Sequence, residues 1–185
     1  MKKHLFLTIG TMLLLIGTAG LLRALAGPPR PPAKAASADA EFAVQAARAA
    51  LSDVELARLA QAKSPSETMR AAAQTIQADR ERTAAELHAL ATAKGLDLPT
   101  TTDRTHAAAH ARLNALSGAA FNRAWADQMV MDHQAAIDLF TTQSTSGADA
   151  EWRAFAAKQL PALRAHLKQA QSLQAPRASG RRASR

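Results

Sequence analysis

The chain of 185 residues is 48% hydrophobic but only 4% aromatic, so alanine and leucine supply most of its apolar content and favour an all-α domain. It has no cysteine, which excludes disulfides, thiolate metal sites, cysteine nucleophiles and a lipidated cysteine. The formal net charge of +8 comes from the two ends, because residues 39–174 hold 14 basic and 15 acidic side chains, and a nearly neutral domain argues against specific nucleic-acid binding.

The N-terminus has the three parts of an export signal. A basic start, MKKH, precedes an apolar stretch over residues 5–22 and a small-residue A-x-A site that ends at Ala26. We predict that residues 1–26 are a signal peptide cleaved after Ala26, which delivers the remainder to the periplasm or cell envelope. The apolar stretch is also long enough to approach the thickness of a bilayer, so an uncleaved inner-membrane anchor through residues 5–22 is the alternative.

Two segments of biased composition flank the predicted domain. Residues 27–38 are rich in proline and alanine and are predicted to form an extended linker. Residues 175–185 lack apolar periodicity and are predicted to be a basic, disordered tail. The basic ends are expected to contact anionic envelope surfaces weakly at most, and the sequence identifies no protein partner.

The residues between these segments show the periodicity of an antiparallel four-helix bundle with a short extra helix between helices two and three. The predicted helices cover residues 39–62, 65–94, 103–116, 119–142 and 150–174. Ser64 is the predicted N-cap of the second helix, with Pro65 as its first residue and Glu67 as the capping-box partner. Asp149 is the predicted N-cap of the last helix.

Three of the four long helices direct ionisable side chains at the core. Successive helical residues are rotated by about 100°, which places Asp132 and His133 together in the apolar arc of the third long helix. By the same rotation His166 lies in the apolar arc of the fourth, and Glu55 lies between two leucines of the first. Unpaired ionisable groups are costly to bury, so these side chains must contact one another, a backbone carbonyl, water or a metal.

The chain contains the segments VELARLA, KGLDLP, LSGAAFNRAW followed by QMVMDHQAAIDLF, and FAAKQLPALRAHL. With these segments residues 39–174 resemble a bacterial family of exported ferritin-like proteins, catalogued as domain of unknown function 4142 and often labelled outer membrane proteins. The resemblance implies a ferritin-like fold, and such folds often hold metal ions between helices with carboxylate and histidine ligands. The family has no established biochemical role.

The second helix departs from the family pattern, which repeats an Asp-His pair there. This chain has Asp79-Arg80 instead, and Arg80 falls in the apolar arc. A guanidinium has no free acceptor and repels a neighbouring cation, so Arg80 cannot ligate a metal. It can pair bidentately with Asp132 or Glu55. The predicted buried polar cluster comprises Glu55, Asp79, Arg80, Asp132, His133 and His166.

Two functions remain open for this cluster. In the first, the protein is a non-catalytic binding or stress-related module of the cell envelope, and the cluster is an internal ion-pair network. In the second, Glu55, Asp132, His133 and His166 bind a transition metal in a periplasmic metal-binding or metal-redox protein of ferritin-like type. The cofactor is unknown, and the absence of any cofactor is favoured over such a metal. The sequence predicts no catalytic residue, because no serine has a histidine placed to activate it and no glycine-rich loop can bind phosphate.

Overall fold

Five helices make up residues 33–174, the part of the chain that this computed structural model describes. They are α1 (Ala33–Lys63), α2 (Glu67–Ala93), α3 (Arg104–Asn114), α4 (Gly118–Ser146) and α5 (Ala150–Leu173). The predicted all-α class is confirmed, as is the short helix between the second and third long helices. Within these residues no helix is both long and apolar enough to cross a membrane. The predicted signal or anchor segment, its cleavage site and the tail over residues 175–185 lie outside the described residues.

The first helix begins earlier than predicted. The proposed linker extends to residue 38, but α1 starts at Ala33, so residues 33–38 are helical. The reason is their composition: after Pro32 the chain reads AKAAS, and alanine and lysine are strong helix formers. The proline-rich part of the predicted linker lies outside the described residues.

The N-cap of α2 is Ser66 and not Ser64. The Ser66 hydroxyl accepts a hydrogen bond from the backbone N–H of Met69 at 3.3 Å, and the helix begins at Glu67. Ser64 has another role, because its hydroxyl accepts from the Ser66 N–H at 3.1 Å and donates to the Asn122 side chain at 2.8 Å. The prediction for the last helix is confirmed: Asp149 caps α5 by accepting from two backbone N–H groups of its first turn.

The apolar core consists of two clusters at opposite ends of the bundle. The cluster nearer the start of α1 contains Phe42, Leu87, Phe140, Trp152, Phe155 and Leu163, together with alanines of α1. The cluster nearer the end of α1 contains Leu56, Met69, Ile76, Leu113, Phe121, Trp125 and Met129. The Trp125 indole N–H donates to the carbonyl of Leu56 at 2.8 Å, which ties α4 to α1 in the second cluster.

Between the two apolar clusters lies a band of ionisable side chains, which we call the polar layer: Asp53, Arg80, Asp132, His133 and His166. In each long helix these residues stand where the chain passes from one cluster to the other. The four helices run antiparallel, so positions far apart in sequence meet at the same height of the bundle. The fold thus assembles the polar layer in the middle of the core.

Candidate functional site

Arg80 is the buried cation of the polar layer. It is only 3% exposed, and its Nε lies 3.6 Å from an Asp53 carboxylate oxygen. One of its terminal nitrogens is 3.4 Å from Nδ1 of His166. Burial lowers the pKa of Arg80, while the negative charges of Asp53 and Asp79 raise it. Burial raises the pKa of Asp53, and the charge of Arg80 lowers it again. Because a guanidinium stays protonated in proteins, this charge favours the ionised carboxylate, and the two side chains form an ion pair inside the bundle.

The two buried histidines are neutral donors held by fixed partners. Nδ1 of His133 lies 2.9 Å from the carbonyl of Met129, so this nitrogen carries the proton and donates. Nε2 of His166 lies 2.9 Å from a carboxylate oxygen of Asp79 and donates to it. Burial, reinforced by the charge of Arg80, lowers the pKa of each histidine to about 4. Both rings are therefore uncharged at neutral pH.

The carboxylate that α1 contributes is Asp53, and the prediction of Glu55 is wrong. Glu55 is exposed on the outside of α1, whereas Asp53 is 2% exposed. Leu51 and Leu59, which suggested an inward Glu55, are only partly buried. The inward face of α1 is formed mainly by alanines, and Ala50 and Ala57 bracket Asp53 at spacings of three and four residues. Alanines at helical spacing were the signal for Asp53, and the larger leucines concealed it.

The remaining predicted cluster residues take different positions. Arg80, His133 and His166 are buried, as the apolar arcs predict. Asp79 is partly exposed and contacts both His166 and Arg82. The predicted partners of Arg80 were Asp132 or Glu55, but the guanidinium contacts Asp53 instead. This follows from the inward face of α1, which presents Asp53 to α2.

Asp132 is not hydrogen-bonded to this ion pair, and only one of its two oxygens has a hydrogen-bond partner among the described residues. Its Oδ1 accepts from the Gln128 amide at 2.8 Å, and Gln128 in turn accepts from Arg112 of α3 at 2.6 Å. Its Oδ2 is buried and has no hydrogen-bond partner among the described residues. Burial and repulsion from Asp53 raise the pKa of Asp132 to about 6. Any hydrogen-bond donor that reaches this carboxylate stabilises its ionised form.

A cleft of about 400 Å³ opens next to Asp132, between α1, α4 and the start of α3. Three carboxylates border it, Asp53, Asp103 and Asp132, together with Arg48 and His106. Asp103 is the N-cap of α3 and its Oδ1 lies 2.8 Å from Nδ1 of His106, so this histidine is already partnered. The other lining residues are small, polar or apolar: Gln45, Ala49, Ser52, Ala135, Ala136 and Leu139. No pattern in the sequence predicts this cleft.

The four predicted metal ligands do not form a metal site. Glu55 is exposed, and the remaining three include His166, whose two ring nitrogens face Asp79 and Arg80. Arg80 would also repel a cation at this height of the bundle. Within residues 33–174 no group of three or more histidine and acidic side chains is spaced to hold a metal ion. The polar layer therefore does not fit the metal that ferritin-like folds often carry.

Comparison with known proteins gives a family and a fold. The family model described as a domain of unknown function, DUF4142, matches residues 24–173. No curated protein matches the chain. Among solved structures, the chain is similar to a DUF305 fragment from Deinococcus radiodurans, with 19% sequence identity and a TM-score of 0.67 over 79% of this chain and 97% of that one. At this identity the likeness shows a shared helical fold.

Proposed function

Because the chain belongs to the DUF4142 family, whose description assigns no role, we propose a function from the geometry of its cleft. The protein is an exported, non-catalytic module of the cell envelope that binds a small ligand between α1, α4 and the start of α3. The export part of this proposal is supported by the basic start, the apolar stretch over residues 5–22 and the A-x-A site ending at Ala26.

One observation carries the binding role: Asp132, whose Oδ2 is buried and has no hydrogen-bond partner among the described residues, lines a cleft of about 400 Å³. Sites for small molecules are commonly a few hundred Å³ and combine apolar walls with a few polar groups. This cleft has that composition, since alanines and Leu139 line it beside Asp53 and Asp132. An unsatisfied buried carboxylate costs stability, which a ligand recovers on binding.

The walls of the cleft support binding and not catalysis. Two of them are the middles of α1 and α4, whose backbone N–H groups are used in helical hydrogen bonds and cannot stabilise an oxyanion. The third wall is the start of α3, where the Asp103 side chain already accepts the His106 N–H at 3.0 Å. His133 and His166, with pKa values of about 4 and fixed partners, are poorly suited to act as general bases at neutral pH.

The binding role is tested by two-dimensional NMR of the purified protein against a set of small amines, carboxylic acids, amino acids and sugars. We expect at least one class to shift the amide signals of residues around the cleft, such as Ser52, Asp132 and Ala135. Ala135→Leu, which fills the cleft, should abolish these shifts. Ala78→Leu, at an exposed position of α2, is the matched control and should retain them. If no class shifts the cleft signals, the proposal is wrong.

Export and metal content have separate tests. Intact-mass analysis of protein from the envelope fraction should show a chain that begins at Gly27, and recovery of the protein from the cytosol would contradict export. Elemental analysis of the same material should show no stoichiometric transition metal. A metal that is retained in the wild type and lost in both His133→Ala and His166→Ala would replace this proposal with the metal-binding alternative.

A further inference from the structure

The charge of the cleft points to the class of its ligand. Three carboxylates border the cleft and Arg48 is the one lining side chain with a permanent positive charge. His106 pairs with Asp103 and Arg80 with Asp53, so among the described residues Asp132 is the carboxylate of the cleft that has no cationic partner. Carboxylates attract cations and repel anions at short range, and the low dielectric of a narrow cleft strengthens both effects. The cleft is therefore matched to a positively charged ligand.

Asp53 gives independent support, because it is a nearly completely buried carboxylate that reaches the cleft. Its side chain is 3% exposed, and its Oδ2 lies 4.0 Å from Nε2 of the neutral His133, which is too far for a hydrogen bond. The Nε of Arg80 stands behind it at 3.6 Å, which is beyond hydrogen-bonding distance, and has no hydrogen-bond partner itself. Asp53 thus lines the cleft with a charge that Arg80 compensates from behind, beside Asp132, whose Oδ2 has no hydrogen-bond partner among the described residues.

The spacing of these acceptors favours an organic cation over a metal ion. A metal needs several ligands within about 2.6 Å of one point, and residues 33–174 contain no cluster of three histidine or acidic groups that meets this need. An ammonium group carries three N–H donors and can bridge carboxylates that are further apart. The cleft also has apolar walls from Ala49, Ala136 and Leu139, which can cover a short aliphatic chain.

We infer that the cleft binds a small organic cation, a protonated primary amine or diamine with a short aliphatic chain, through Asp132 and Asp53. This inference rests on the proposed binding role of the cleft and adds the ligand's chemistry. The ammonium donates to the carboxylates of Asp132 and Asp53, and the methylene groups pack on the alanines and Leu139. Arg48 at the same cleft disfavours ligands of higher positive charge.

The test is isothermal titration of the purified protein with 1,4-diaminobutane, at pH 7.5 and low salt. We expect saturable binding that weakens at least tenfold in Asp132→Asn, because one charged acceptor is lost. Ala135→Leu should also abolish binding. Asp138→Asn is the matched control: it removes a carboxylate from the exposed face of the same helix and should leave the affinity unchanged. The neutral analogue 1,4-butanediol should not bind.

Three outcomes would contradict this inference, and the first of them leaves the proposed function standing. If butanediol, an acid or a sugar binds and Ala135→Leu abolishes that binding, while diaminobutane does not bind, the cleft is a ligand site but the cation inference is wrong. If diaminobutane binds equally to the wild type, Asp132→Asn and Ala135→Leu, the amine binds elsewhere and the inference is also wrong. If no probe binds to the cleft at all, both the inference and the proposed function fail.

Discussion

Replacing Arg80 by methionine removes the buried cation while keeping a side chain of similar length. Asp53 then loses the charge that stands 3.6 Å from its carboxylate, in a position where it is only 2% exposed. Removing one partner of a buried ion pair costs about 3–5 kcal/mol, because the other charge remains buried without compensation. We therefore expect the free energy of unfolding at pH 7 to fall by about this amount in Arg80→Met.

The assay is urea unfolding followed by the fluorescence of the two buried tryptophans, Trp125 and Trp152. Arg82→Met serves as the matched control. It removes an arginine two positions away whose side chain is 66% exposed and pairs with Asp79, and exposed pairs contribute at most about 1 kcal/mol. If Arg80→Met costs no more than Arg82→Met, Arg80 is not a compensated charge in the core, and our description of the polar layer is wrong.

Three further predictions concern the polar layer and the core. The pKa of Asp132 is about 6 in the folded chain, above the ordinary 3.8, so ionisation of this residue lowers the stability of the fold as pH rises from about 4 to 6. Asp132→Asn should therefore gain stability relative to the wild type across that range, and the gain should reach about 1–3 kcal/mol at pH 7. Urea unfolding at several pH values measures this gain. The ring signals of His133 and His166 should titrate in NMR with midpoints near 4, and both midpoints should rise in Arg80→Met, because the charge of Arg80 contributes to lowering them. Trp125→Phe should lose about 1–2 kcal/mol, because it leaves the buried carbonyl of Leu56 without its indole donor.

Each of these predictions has a result that would contradict it. For Asp132→Asn, it is a stability difference from the wild type that does not change between pH 4 and 7. For the histidines, it is a midpoint near the ordinary value of 6.5, which would mean that the rings are solvated. For Trp125→Phe, it is an unfolding free energy equal to that of the wild type.

The fold was predictable because its signals are repeated along each helix. Apolar residues recur at helical spacing over four long segments, and a single misplaced residue does not change that pattern. The errors in the predicted fold lie at the ends of helices, where a single residue decides the boundary. Ser64 and Ser66 are both able to cap α2, but Ser66 is the cap, and the Ser64 hydroxyl contacts Asn122 of α4 instead. That contact is tertiary and is invisible in the local sequence.

The site was predictable only where large apolar neighbours marked the inward face. His133 and His166 lie among leucines and aromatic residues, and both are buried as expected. On α1 the inward face is made mainly of alanine, a residue that is common on both faces of this helix. The positions of the leucines therefore predicted Glu55 as the inward carboxylate, in place of Asp53. The cleft depends on how α1, α4 and α3 meet, which no single segment encodes.

The central claim is that carboxylates of the cleft bind a cationic ligand. Its most direct test is to measure how many protons are released when 1,4-diaminobutane binds at pH 6. Titration in buffers of different ionisation enthalpy measures this number. Asp132, with a pKa of about 6, is half protonated at pH 6 and must ionise to bind an ammonium. The wild type and Asp132→Asn share the other ionisable residues of the cleft, which are Asp53, Asp103, His106 and Arg48. We predict release of about half a proton per amine in the wild type and a smaller release in Asp132→Asn. Equal release in the two proteins, or none in the wild type, would contradict the claim.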